Sequence, residues 1–128
     1  MFVKETEGIE ISVRTRYEAE YSNPLQSHFL FSYHIQIHNK NDFAVRLLRR
    51  HWIIQDEQGR VREVEGAGIV GEQPLILPGA CHSYSSFCDL TTLRGKMHGT
   101  YSMIRDDDRS RFQVQIPEFI LNLPFTLN

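Results

Sequence analysis

The chain has 128 residues, a length that suits one domain, and 41% hydrophobic content is enough to fill one core. A formal charge of -2 and a pI near 6.3 leave no global field to draw it onto nucleic acid or an anionic membrane, so nucleic-acid binding is not expected. The charged residues 1–8 contain no apolar run of signal-peptide length, and no later segment approaches the roughly 18 uninterrupted apolar residues of a membrane span; a cytoplasmic protein without membrane insertion is expected.

In chain order, Ile9, Ile11 and Val13 alternate with Glu10, Ser12 and Arg14, the period of a half-buried strand. Residues 21–24, with Asn23 before Pro24, carry turn chemistry. Phe29, Phe31, Tyr33, Ile35 and Ile37 then oppose Ser32, His34, Gln36 and His38, the cleanest alternation in the sequence. Residues 43–56 hold the only tryptophan and a positive cluster of Arg46, Arg49, Arg50 and His51. Their inward face has two registers: Leu48, Trp52 and Ile54 would bring Arg50 inward, whereas Leu47 and Ile53 would bring Arg49 and His51, and a bulge could reconcile them. Residues 56–59 read as a hairpin turn with glycine at the positive-φ position, and 60–64 as the returning strand.

Residues 65–79 interrupt this pattern with glycines and prolines. Gly66, Gly68 and Gly71 spell G-x-G-x-x-G, yet Pro74 and Pro78 forbid the helix that a dinucleotide fingerprint requires. Glu72 also stands where a phosphate-loop lysine would be, so the motif marks a bent backbone. Beyond it, 81–87 alternates weakly around Tyr84, and 90–95 has the composition of a connection. Met97, Gly99, Tyr101 and Met103 form a further period-two face, and residues 106–110 turn into Phe112, Val114 and Ile116. Pro117 is expected to stop pairing, with Phe119, Leu121 and Leu123 forming a short last strand before Pro124 and a loose tail. Seven or so short strands, no stretch of helical period and no repeat predict an all-β fold, an antiparallel β-sandwich of the immunoglobulin or fibronectin type III kind, as a single domain over 1–128 with Trp52 in its core.

Arg50-His51-Trp52, Gly68-Ile-Val-Gly-Glu-Gln-Pro74, Leu77-Pro-Gly79, Met97-His-Gly-Thr-Tyr-Ser-Met103 and Phe112-x-Val-x-Ile-Pro117 form an ordered series that resembles the ApaG family over nearly the whole chain. The resemblance implies a fibronectin type III-like sandwich, encoded in bacteria beside a diadenosine tetraphosphate hydrolase and linked to cobalt resistance and magnesium efflux. Similar domains occur in eukaryotic F-box proteins and in a polymerase-interacting protein, the usage of a binding module. Cys81-His82 and the longer acidic turn at Asp106, Asp107 and Asp108 depart from the commoner family pattern.

The residues offer little catalytic chemistry, and no catalytic residues, metal ligands or cofactor are assigned. His34 and His38 lie roughly 13 Å apart on one strand face, too far to share an ion. Consecutive acids at 106–108 lack the spacing of a calcium loop, and Ser83, Ser85 and Ser86 beside His82 and Asp89 lack a nucleophile elbow. Cys81 and Cys88 read as free thiols of a reducing compartment, and Met97 and Met103 as core. Two functions follow. The first is a non-catalytic module that binds a protein partner through loops or an exposed strand. The alternative is a binder of pyrophosphate or a nucleotide phosphate, with Gly66, Gly68 and Gly71 as a backbone nest and Arg50, His51 and Arg62 neutralising charge. Antiparallel pairing should in either case place the glycine loop beside residues 49–52, where Arg50 or His51 could donate to loop carbonyls.

Overall fold

The computed structural model describes residues 1–124; the tail expected after Pro124 lies outside the described residues. Nine strands are present among them: β1 (Phe2–Thr6), β2 (Ile9–Tyr17), β3 (Phe29–Asn39), β4 (Val45–Asp56), β5 (Val61–Ala67), β6 (Leu75–Ile76), β7 (Cys81–Leu90), β8 (Arg94–Arg105) and β9 (Arg111–Asn122). Two 3-10 turns, Ala19–Tyr21 and Pro24–Gln26, occupy the segment read as turn chemistry. The strands form an antiparallel sandwich, with β1-β2-β3-β7 in one sheet and β5-β4-β8-β9 in the other, where β6 also pairs with β4. The expected immunoglobulin or fibronectin type III-like fold class is what the chain adopts.

The alternating faces meet between the sheets. Ile9, Ile11, Val13, Phe31, Ile35 and Ile37 from the first sheet close over Val45, Leu47, Met97, Tyr101, Met103, Val114 and Phe119 from the second, all nearly or fully buried. Trp52 sits at the centre, 3% exposed, with the rings of Tyr33, Phe119 and Tyr101 against it at 5.5, 5.8 and 6.4 Å between centroids. All three contacts are edge-on, the arrangement that aromatic quadrupoles favour.

Two bulges set the geometry of the second sheet. On β4 the pairing with β8 shifts between Leu47 and Arg49, so Leu48 is the extra residue. Val45 and Leu47 face inward before it, and Trp52 and Ile54 after it. The two registers that the sequence offers are therefore both used, one on each side of the bulge. The second shift faces His98, opposite Pro117 and Glu118 on β9. Pairing does stop at Pro117 itself, as expected, but the expectation of a separate last strand is corrected. The bulge leaves that position out of the ladder, so a residue without an N–H costs no hydrogen bond and 112–116 and 119–122 belong to one strand.

Two strands were not anticipated. β1 carries Val3, Lys4 and Glu5 exposed, because an edge strand supported on one side needs no alternating apolar face. It turns into β2 through Glu7 and Gly8 at φ 49° and 76°, the two left-handed residues of a tight hairpin. β6 is only two residues long and rests on the start of β4. The connection expected at 90–95 is shorter than its composition suggested, since β7 runs to Leu90 and β8 begins at Arg94.

The two long sides of the sandwich differ. On one, β1 and β9 meet, with Thr6 Oγ1 accepting from the Gln115 amide at 3.2 Å and Phe2 against Phe119. On the other, β5 and β7 are both edge strands, each paired with a single neighbour. At one end, fully buried Asn39 ties the segments together. Its Nδ2 donates to the carbonyls of Phe43 (2.8 Å) and Ile76 (3.1 Å), and its Oδ1 accepts from the Asn41 amide. Asn39→Ala strips partners from buried carbonyls and is expected to cost about 1 to 3 kcal/mol. Urea unfolding checks this; a midpoint equal to the parent's would refute it.

Candidate functional site: the open side of the sandwich

The site begins at the bulge on β4. The displaced Leu48 carbonyl accepts the Gly68 amide at 2.8 Å and Gln73 Nε2 at 2.9 Å, which anchors both ends of the glycine-rich turn. After the bulge Arg50 faces inward and pairs in the ladder with Gly66, while Arg49 pairs with Ala67. The Arg50 guanidinium lies over Gly66, where a Cβ would meet Nη1 at 2.8 Å. From there Nη1 donates to the carbonyls of Ala67 and Gly68, both at 3.0 Å. The adjacency of the R-H-W segment and the glycine loop, and the support of loop carbonyls by an arginine, are thus present in the structure.

The glycines shape a backbone. Gly68 has φ 63°, and a Cβ there would lie 2.1 Å from the Glu72 carbonyl oxygen. Ile69 and Glu72 exchange both backbone hydrogen bonds, 2.8 and 2.9 Å, across a turn made by Val70 and Gly71 at φ 46° and 78°. The N–H groups of Gly68, Ile69 and Glu72 are therefore engaged with carbonyls, and few remain to cradle an anion. Val70 is a β-branched residue in the left-handed region, an unfavourable conformation for that side chain, and it is exposed.

Between the unpaired edges of β5 and β7 lies a cleft of about 390 Å³. Tyr33, Trp52 and Tyr84 line it, Arg50 and Arg62 contribute two guanidinium groups, and Val64 and Val70 stand at its rim. Arg62 reaches across the mouth: its Nη2 donates to the Asp89 carbonyl at 2.7 Å and its Nη1 to Asp89 Oδ1 at 3.3 Å, which ties β5 to β7. The hydroxyls of Tyr84 and Tyr101 are hydrogen-bonded at 2.5 Å. Burial raises the pKa of both, as it does that of Tyr33, so at neutral pH they are uncharged hydroxyls. Cys88 sits under Arg62 and burial pushes its thiol up to about 11, against the pull of the arginine charge. An aromatic floor, fixed hydroxyls and two cations at the edge suit an apolar or aromatic group that carries a carboxylate or phosphate.

The sequence candidates divide between the two faces of the second sheet. Arg50 and Arg62 line the cleft, Gly66 lies beneath the Arg50 guanidinium, and Gly68 and Gly71 belong to the turn. His51 faces the opposite way, on the outer surface, with Glu63 and Glu65 at 3.4 and 3.5 Å from its Nε2. Strand alternation separates it from Arg50, so the six residues are divided between the two faces of the sheet. The acids at 106–108 are drawn into the turn itself, with Arg105 on Asp107 and Asp108 and Arg109 on Asp106. Tyr33, Trp52 and Tyr84 are the cleft residues that sequence reasoning did not group. The available signal was a hydroxyl at an inward position, Tyr33 amid Phe31 and Ile35, since a buried tyrosine needs a polar partner.

Comparison with known proteins adds the family context. The ApaG domain family model matches residues 19–105. The Protein ApaG of Paramagnetospirillum magneticum is 45% identical over 124 residues, covering 97% of this chain and 95% of the relative, and that of Ectopseudomonas mendocina is 48% identical over 120 residues, with 94% of each covered. The crystal structure described as the putative ApaA protein from Bordetella pertussis superposes with a TM-score of 0.89 at 42% identity, covering 92% of this chain and 95% of that one.

The loop geometry makes two expectations. Arg50→Ala and Gly68→Ala should each lower stability, the first by about 1 to 3 kcal/mol through lost charge-assisted hydrogen bonds, and Val70→Asn should raise it by about 1 kcal/mol because asparagine tolerates positive φ. Thermal unfolding of the three variants reads this, and an unchanged Arg50→Ala would sink the support role. Reactivity toward a thiol reagent checks the burial of Cys88: exposed Cys81 should react in the native protein and Cys88 only on unfolding, because the thiolate is the nucleophile.

Proposed function

The chain belongs to the ApaG domain family, and from that premise we propose that it is a cytoplasmic, non-catalytic binding module that docks a protein partner at the open side of the sandwich. The observation that carries the reading is the cleft between two unpaired edge strands, with an aromatic floor, paired hydroxyls and the guanidinium groups of Arg50 and Arg62. A partner side chain of the aromatic or acidic kind fits such a cleft, while the exposed Val64 and Val70 at the rim offer apolar contact. The cleft is lined by uncharged tyrosines and a protonated thiol, groups suited to recognition. No helix among the described residues is long and apolar enough to cross a membrane. Any part in cobalt resistance or magnesium efflux is, on this reading, exerted through the partner.

Pyrophosphate or nucleotide binding on the glycine loop is the reading that this geometry supports less. Three of the loop amides already bond carbonyls, and His51 is on the other face. Capture from a bacterial lysate tests the docking surface. The immobilised chain should retain a partner that Val64→Asp and Val70→Asp both lose without a fall in melting temperature, while Val3→Asp, on the opposite side, keeps it. Retention by both rim variants would refute docking at the cleft, and calorimetric heat with pyrophosphate that Arg50→Ala abolishes would put the anion reading in its place.

A further inference from the structure

The outer face of the second sheet carries a set of donors that no motif announces. His51 is on β4, and Glu65 stands directly across the ladder from it on β5, with Glu63 two residues along on the same face. Nε2 of His51 lies 3.4 Å from Glu63 Oε2 and 3.5 Å from Glu65 Oε1, and the three atoms fall within 4.8 Å of one another. No lysine or arginine pairs with either glutamate among the described residues. Two carboxylates thus converge on one imidazole.

We propose that His51, Glu63 and Glu65 form a binding site for a divalent cation of the borderline class typified by Zn²⁺. The distances support a shared ion. Ligands about 2.1 Å from a tetrahedral centre stand about 3.4 Å from each other, and two of the three edges already have that length. Small rotations of the Glu63 side chain, which is 59% exposed, can close the third. One nitrogen and two carboxylate oxygens select a metal that accepts imidazole over the hard, oxygen-seeking Mg²⁺ and Ca²⁺. The backbone holds the donors in place, because all three are in a continuous antiparallel ladder. Solvent reaches the cluster, so water can complete the coordination. The spacing escaped sequence reasoning because the ligands come from two strands and meet only through their register. The site faces away from the cleft and does not depend on the docking reading.

Calorimetric titration of the full chain with ZnCl₂ in a non-coordinating buffer tests the proposal. Saturable binding at one ion per chain is expected, with the amide and imidazole NMR signals of His51 and the amides of Glu63 and Glu65 the most perturbed. His51→Ala and Glu65→Gln, each at parent melting temperature, should weaken binding by about tenfold or more. His34→Ala, on the other sheet, and Cys81→Ser should leave it unchanged. Absence of saturable heat, affinity undiminished in His51→Ala, loss of binding in Cys81→Ser, or half an ion per chain in a zinc-bridged dimer would each overturn the site.

Discussion

One extra residue in β4, Leu48, governs much of this structure. Without it, the period of the strand would carry the inward face from Val45 and Leu47 to Arg49, His51 and Ile53, and Trp52 would point into water. Burying an arginine unpaired while exposing an indole would be costly on both counts. The bulge moves the inward face by one position, so that Arg50, Trp52 and Ile54 follow Leu47. It also frees a carbonyl, and this is what the glycine loop binds to, through the Gly68 amide and the Gln73 side chain. The core register and the position of the loop are consequences of the same insertion.

Arg50 is the residue that this arrangement leaves on an apolar face, and its surroundings show how such a charge is accommodated. It lies at the margin of the core, over a glycine, where its guanidinium donates to the carbonyls of Ala67, at the end of β5, and Gly68, at the start of the loop. The long stem can cover apolar surface while the head stays near solvent. The opening between β5 and β7 then remains polar at its edge and aromatic at its floor. β5 protects its own free edge with Arg62, Glu63 and Glu65, charges that discourage pairing with another chain, and Arg62 spans to Asp89 across the gap.

The legible part of the fold was the part governed by period. The alternation of 29–37, the burial of Trp52, Met97 and Met103, and the proximity of the loop to residues 49–52 all follow from strand geometry and antiparallel return. What period does not encode was read incompletely. Bulges have no residue signature of their own, so period alone leaves the register of β4 open between two faces and gives no sign that one strand continues past Pro117. β1 escaped because an edge strand can be charged along its length. The cleft escaped for a different reason: Tyr33, Arg50, Arg62 and Tyr84 come from four strands in two sheets, and only the asymmetry between the closed β1/β9 side and the open β5/β7 side brings them to one place.

β5 links the two surfaces to which functions are assigned. Its alternation sends Arg62 and Val64 toward the cleft and Glu63 and Glu65 to the outer face. The strand has a single ladder partner, so it is held by β4 on one edge and by the Arg62 contacts to Asp89 on the other. A cation held between His51 of β4 and the two glutamates of β5 would cross-link those strands on the outside, at the same rungs where Arg50 and Trp52 face in. The inner cleft wall and the outer cluster are consequently two sides of one rung pair, His51 with Glu65 and Arg50 with Gly66, and whatever stiffens that pair acts on both.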